Sequence, residues 1–265
     1  MALPFWLSDA ALLGAQAATV ALPAKRDLGW ARRLGGRAWA SVPALALVAT
    51  IFGVQATGSA TALADLALVA VPPLAAAALG WGMRGARPAL APLAAVLFLV
   101  AALDKNGLLG EAAAVALIAL SCVTLGVLLA AVAPLAWLKA GIVVMALADT
   151  ALTVSDLLQA PNGKLNAAVA PGGLPSLQRA LFGSAVMGYG DLFVAALLGA
   201  IVVREGRRGG AAALLVLAIA AVFDLLFFAV DELPATVPVA IATLALTARA
   251  GRGRTCAEAL AARPR

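Results

Sequence analysis

Histidine is absent from this 265-residue chain, only 12% of the residues carry charge, and there are two cysteines and a single tyrosine. Without histidine, Ser-His-Asp catalysis and most zinc sites are excluded. With so little charge, the water-facing shell of a soluble domain this long cannot be built. Cys122 and Cys256 fall in an apolar run and in a basic tail, so they supply no disulfide framework. Ten-residue stretches of alternating apolar and polar residues are missing, which excludes an outer-membrane barrel. A continuous basic face is missing as well. The formal net charge of +6 comes mostly from arginines in short clusters between apolar runs, a pattern of membrane orientation rather than nucleic-acid binding.

What is present is apolar: 64% of the residues are hydrophobic and the mean hydropathy is +1.02. The expected class is an all-α polytopic membrane protein. Runs long enough to cross a bilayer, roughly 17 to 25 residues each, number nine. They fall near 4–22, 39–56, 61–82, 89–103, 109–133, 138–160, 179–203, 211–230 and 233–248. The first lacks a basic lead and a clear small-residue cleavage site, and reads as a retained span. Pro72 and Pro73 should kink the third.

The charges between the runs alternate. Lys25, Arg26, Arg32, Arg33 and Arg37 follow the first run; Arg84 and Arg87 follow the third; Arg204, Arg207 and Arg208 follow the seventh. The second connection carries no charge, Asp104 and Lys105 cancel in the fourth, and the eighth is acidic at Asp231 and Glu232. Positive-inside then predicts an N-terminus outside, a C-terminus in the cytoplasm, and a multi-pass protein of the plasma (inner) membrane. Residues 1–137 hold the first five spans, 138–248 the last four, and 249–265 a basic tail expected to be mobile or to lie on the inner leaflet. The connection at about 161–178 is rich in proline and glycine, and no long helix is expected there.

The apolar runs hold six aspartates: Asp9, Asp65, Asp149, Asp156, Asp191 and Asp224. A carboxylate at bilayer depth costs about 3 kcal/mol or more and points to function by default. Depth sorts them. At ~1.5 Å per residue, Asp149 and Asp191 lie about 16 and 18 Å below the connection that joins the sixth and seventh spans, and Asp156 about 6 Å. Two carboxylates meeting in a low-dielectric site share one proton, leaving one base and one acid. Such a pair can deprotonate a water, aim it at a peptide carbonyl and protonate the departing amine. The same residues also suit a non-catalytic use: interhelical hydrogen bonding, or one step of a proton or cation path. For Asp9, Asp65 and Asp224 the packing or interfacial use is preferred, and Asp156 stays open as a loop cap or a substitute for Asp149.

Gly188-Tyr189-Gly190-Asp191 in the seventh run, Ala148-Asp149 in the sixth, and Leu233-Pro234-Ala235-Thr236 opening the ninth together resemble the intramembrane aspartyl proteases of the signal peptide peptidase and presenilin type. The segment Ala160-Pro161-Asn162-Gly163-Lys164-Leu165 is similar to one that follows the sixth helix in signal peptide peptidases. The resemblance covers about 138–248. It implies nine helices, Asp149 and Asp191 as catalytic pair, and a Gly-x-Gly-Asp motif at 188–191. It also implies that Leu233, Pro234 and Ala235 shape the site, as Gly188, Tyr189 and Gly190 do. Its implied substrates are transmembrane helices of other proteins or leftover signal peptides, met within the lipid bilayer; no cofactor, metal or nucleic acid is implied. Ala148 stands where the family has Tyr, Tyr189 where it has Leu, and Thr236 where it has Leu.

Two other readings remain. Asp156-Leu157-Leu158-Gln159-Ala160-Pro161-Asn162 loosely resembles the first-aspartate segment of prepilin-peptidase-like proteases, which also carry Gly-x-Gly-Asp. A proton-coupled transporter or a membrane scaffold would use the same aspartates for ion binding or packing.

Overall fold

The structure, a computed structural model, describes residues 3–29, 33, 35–42, 45, 60–155, 163, 164, 167, 168, 173–230 and 233–261. It is mostly helical. The helices are α1 (Phe5–Ala21), α2 (Ala60–Ala77), α3 (Leu93–Leu103), α4 (Leu108–Val132), α5 (Leu135–Val154), α6 (Tyr189–Arg204), α7 (Gly209–Phe223) and α8 (Thr236–Ala261). Four helical stretches are long and apolar enough to cross a membrane by length and composition: Ala60–Gly82, Leu108–Val132, Leu135–Val154 and Gly209–Phe228. The expected run at 39–56 lies for the most part outside the described residues, as do Asp156 and much of the connection after it.

The centre of the bundle is α6. Leu192 and every residue from Val194 to Val203 are buried, with α1, α4, α5, α7 and α8 packed around them. Small residues set the spacing. A Cβ on Gly126 of α4 would lie 2.9 Å from the Ala196 carbonyl group of α6, so the two helices touch backbone to backbone. Pro72 and Pro73 both lie within α2, which widens into a π turn at Ala78–Gly82. At that junction Thr124 of α4 donates its hydroxyl to the Leu74 carbonyl at 2.7 Å. A backbone acceptor close to the two prolines is thereby satisfied from the neighbouring helix.

Basic side chains gather at one end of the bundle and hold helix ends there. Arg26 donates to the Trp81 carbonyl at 2.7 Å, Arg204 to the Ala130 carbonyl in the last turn of α4, and Lys139 pairs with Glu205 at 2.5 Å. Cations beside exposed carbonyls at helix C-termini complement the helix dipole. At the opposite end Phe5, Trp6, Phe227 and Phe228 stack edge to face or tilted, Phe5 and Phe227 with centroids 5.3 Å apart.

Two elements differ from what the apolar runs led one to expect. The seventh run is not helical from its start: β1 (Arg179–Phe182) and β2 (Ala185–Gly188) form an antiparallel hairpin, and α6 begins at Tyr189. The reason is the two-residue turn Gly183-Ser184, with Gly183 at φ +59°, a backbone glycine adopts without cost in tight hairpin turns. A hydrophobic run does not distinguish a buried hairpin from a helix. The ninth run is also shorter and then longer than expected. Residues 233–235 are non-helical, and α8 runs from Thr236 on through the tail to Ala261.

A candidate carboxylate-pair site

The hairpin carries the Gly-x-Gly-Asp segment into the bundle. Its turn is pinned at the aromatic end: the Gly183 N–H donates to Glu111 of α4 at 2.7 Å and the Ser184 N–H to Ser8 of α1 at 3.2 Å. Its other end reaches Ser121, where the Tyr189 and Ser121 hydroxyls are 2.9 Å apart. Ten residues of α4 separate Glu111 from Ser121, a rise of about 15 Å. Asp191 therefore lies about 15 Å along the bundle from the hairpin turn, delivered by a hairpin rather than by three turns of helix.

Asp191 is the third residue of α6, and its Oδ2 accepts the N–H of the N-cap Gly188 at 3.0 Å. This satisfies one of the unpaired donors that open every helix and places a negative group at the positive end of the dipole. A Cβ on Gly188 would stand 2.9 Å from that same oxygen, so a larger residue here would press on the carboxylate. Gly190 meets nothing within 4 Å and leaves open space beside the carboxylate. Below the turn, Cys122 is fully buried and donates weakly to the Tyr189 carbonyl at 3.8 Å.

Asp149 lies in the fifteenth position of α5, within electrostatic reach of Asp191. Its Oδ2 accepts the Thr236 hydroxyl at 2.6 Å. Thr236 opens α8 and is buried. Just before it, the Ala235 carbonyl accepts the Gln16 amide from α1 at 3.0 Å. Leu233, Pro234 and Ala235 thus form non-helical backbone brought to the level of the carboxylates and held there by a side chain from across the bundle. Pro238 lacks an N–H, so the Pro234 carbonyl is instead taken by the Val237 N–H at 3.1 Å.

The structure accordingly joins the expected residues into one polar network. Gln16 holds Ala235, Thr236 holds Asp149, Asp149 faces the field of Asp191, Asp191 is capped by Gly188, and Tyr189 is tied to Ser121. The contributions of Gln16 and Ser121 are new. Gln16 is a lone amide in an otherwise apolar run, which is a legible signal; nothing in the sequence singles out Ser121.

The remaining aspartates behave otherwise. Asp65 is exposed on α2. Asp9 of α1 and Asp224, just past the end of α7, lie within electrostatic reach of each other. Replacing Tyr189 by Phe removes only the hydroxyl, and Ser121 keeps its 2.7 Å bond to the Ile118 carbonyl. The expected cost is about 1 kcal/mol, measured by denaturation in detergent. Adding Ser121→Ala should cost little more, because the shared contact is already gone and the bond it still loses is to a carbonyl of its own helix; fully additive losses would show that the two hydroxyls act separately.

Comparison with protein-family models, curated proteins and solved structures returns no match to this chain. The fold and site on their own define a mostly helical chain with, among the described residues, four helices long and apolar enough to cross a membrane. It is built round a central helix whose first turn holds one of two neighbouring carboxyl groups.

Proposed function

We propose that this protein is an intramembrane aspartyl protease, a nine-span enzyme of the signal peptide peptidase and presenilin arrangement. It hydrolyses peptide bonds within transmembrane segments or leftover signal peptides. The observation that carries the reading is that Asp149 of α5 and Asp191 of α6 lie within electrostatic reach of each other, beside Ser121 near the middle of the 25-residue α4.

Two adjacent carboxyl groups at this depth hold one proton between them. The ionised one takes a proton from water as the water oxygen bonds to the scissile carbonyl carbon, and the other gives its proton to the carbonyl oxygen. When that intermediate collapses the C–N bond breaks, and the amine leaves with a proton returned by the pair. Neither histidine nor a metal takes part. A helical substrate carbonyl is hydrogen-bonded and shielded, so the substrate must unwind locally. The open space beside Gly190 and the non-helical backbone of 233–235 favour an extended segment there, because irregular backbone at membrane depth is tolerated where it is buried or lines a wet cavity. The basic end of the bundle faces the cytoplasm in this reading, and the protein lies in the plasma membrane with its N-terminus outside.

The test is cleavage of a fluorogenic transmembrane peptide by the purified protein in liposomes. Turnover blocked by a hydroxyl-bearing transition-state isostere, and indifferent to chelators, is the expected result. An intact peptide across the whole pH range tested sinks the proposal. A proton-coupled transporter is the competing reading, favoured by the second carboxyl pair at Asp9 and Asp224. Proton-driven uptake by the same liposomes, unaffected by the isostere, would decide for it.

A further inference from the structure

The Thr236 hydroxyl lies 2.6 Å from Asp149 Oδ2 and donates to it, a length typical of a hydroxyl bonded to an ionised carboxylate. Asp191 receives a different donor, the neutral Gly188 N–H at 3.0 Å, and sits at the positive end of the α6 dipole. The two halves of the pair are therefore not equivalent. Each carboxylate has a feature that favours its charged form, and the shorter, hydroxyl bond is on Asp149.

The placement of Thr236 is itself fixed from two sides. It is only 4% exposed, and the residue before it is held by Gln16 through the Ala235 carbonyl. The hydroxyl could instead have turned back onto a carbonyl one turn earlier, as those of Thr150, Thr243 and Thr247 do in this chain. At the first position of α8 no preceding turn of that helix exists, so the hydroxyl is free to serve another element.

We infer that Thr236 is a positioning residue that makes Asp149 the ionised member of the pair, the base towards water, and leaves Asp191 as the acid. This rests on the protease reading and goes beyond it by dividing the roles and adding a third side chain. The titratable groups around Asp149 are few. Asp191 and Tyr189 come from α6, and Cys122 lies behind them on α4. Residues 236–248 of α8 carry no charge. From the 3-10 turn at Arg37–Ser41, Arg37 sits over Trp137, twelve residues or about 18 Å along α5 from Asp149. Lys139, on α5 itself, is paired with Glu205.

The experiment compares wild type, Thr236→Val, Thr236→Ser and Thr236→Ala as full-length proteins in liposomes. Cleavage of the transmembrane peptide is followed against pH, alongside thermal stability. Thr236→Val keeps the shape and removes the donor, so its acid limb should move to higher pH by about one unit or more, with kcat falling at least about tenfold. Thr236→Ser should restore the wild-type profile, and Thr236→Ala should repeat the effect of valine if valine destabilises the fold. An unmoved acid limb in both the Val and Ala variants, or a serine variant as impaired as valine, overturns the assignment while leaving proteolysis intact. If the wild type cleaves nothing, the protease reading fails separately, and Thr236 is still tested by infrared titration of the Asp149 carboxyl band, assigned with Asp149→Asn. Ionisation at the same pH in wild type and Thr236→Val then overturns the hydrogen bond's role; a later ionisation in valine upholds it.

Discussion

Asp191→Asn is expected to remove peptide cleavage, by about 10³-fold or more as for other catalytic groups that act as a unit, while leaving the protein as stable as wild type. The choice of asparagine matters, because Asp191 has two occupations. It caps α6 by accepting the Gly188 N–H, and that use alone would explain an acid at the third position of a helix. Asparagine keeps the accepting oxygen and the size of the side chain, so the cap survives; it cannot take or give the proton that hydrolysis moves. Alanine loses both, and should be inactive and less stable by about 1 kcal/mol, the usual cost of a lost cap. The same reasoning predicts that Asp149→Asn is inactive and folded, with Thr236 still bonded to the amide oxygen. The measurement is peptide turnover beside a denaturation midpoint for each variant. Full turnover in Asp191→Asn would reduce the residue to a helix cap and end the case for proteolysis, whatever the resemblance in the surrounding motif.

The pairing of the two carboxylates is legible in the sequence, and the path of the chain between them is not. Pro161 and Arg179 bound the sixth and seventh runs, and counting from them puts Asp149 and Asp191 at one level. The structure sets the two within electrostatic reach of each other, yet the ten residues before Tyr189 are a hairpin rather than a helix. Apolar content is the same in both cases, and what decides is local: Gly183 with positive φ, and acceptors from α1 and α4 for the turn's N–H groups. Such acceptors, Ser8 for the Ser184 N–H and Glu111 for the Gly183 N–H, lie 176 and 72 positions away, so no window along the chain reveals them. Irregular backbone at the start of the ninth run, by contrast, can be read from Pro234 and Pro238 alone, because a missing N–H is a local fact. That Gln16 would hold it was not forecast, since one amide in an apolar run has many possible partners. Thr236 illustrates the limit most clearly. As a departure from the family's leucine it looked like a loss, and its value appears only once α8 is set beside α5.

Gly199→Ala should be strongly damaging, and it should act on both stability and turnover. Gly199 lies on the side of α6 that meets α1, where a Cβ would run into the Val20 carbonyl group. Backbone cannot rotate aside as a side chain does, so α1 has to move away from α6, at a cost of about 1–3 kcal/mol. The consequence reaches the site. Gly199 is eight residues, about 12 Å, from Asp191, but α1 also carries Gln16, which holds Ala235 and through it the start of α8. Displacing α1 therefore loosens the segment that presents Thr236 to Asp149, and a misplacement of about 1 Å can lower a rate by about 10²-fold. Gly14 of α1 supplies the control. Its added Cβ meets nothing within 4 Å, and alanine in a helix interior is preferred to glycine by about 0.5–1 kcal/mol, so Gly14→Ala should be slightly stabilising and fully active. Denaturation midpoints and turnover for the two variants check this together. A Gly199→Ala protein as stable and active as Gly14→Ala would mean that α1 and α6 are not in backbone contact, and the link from α1 to the carboxylates would fall with it.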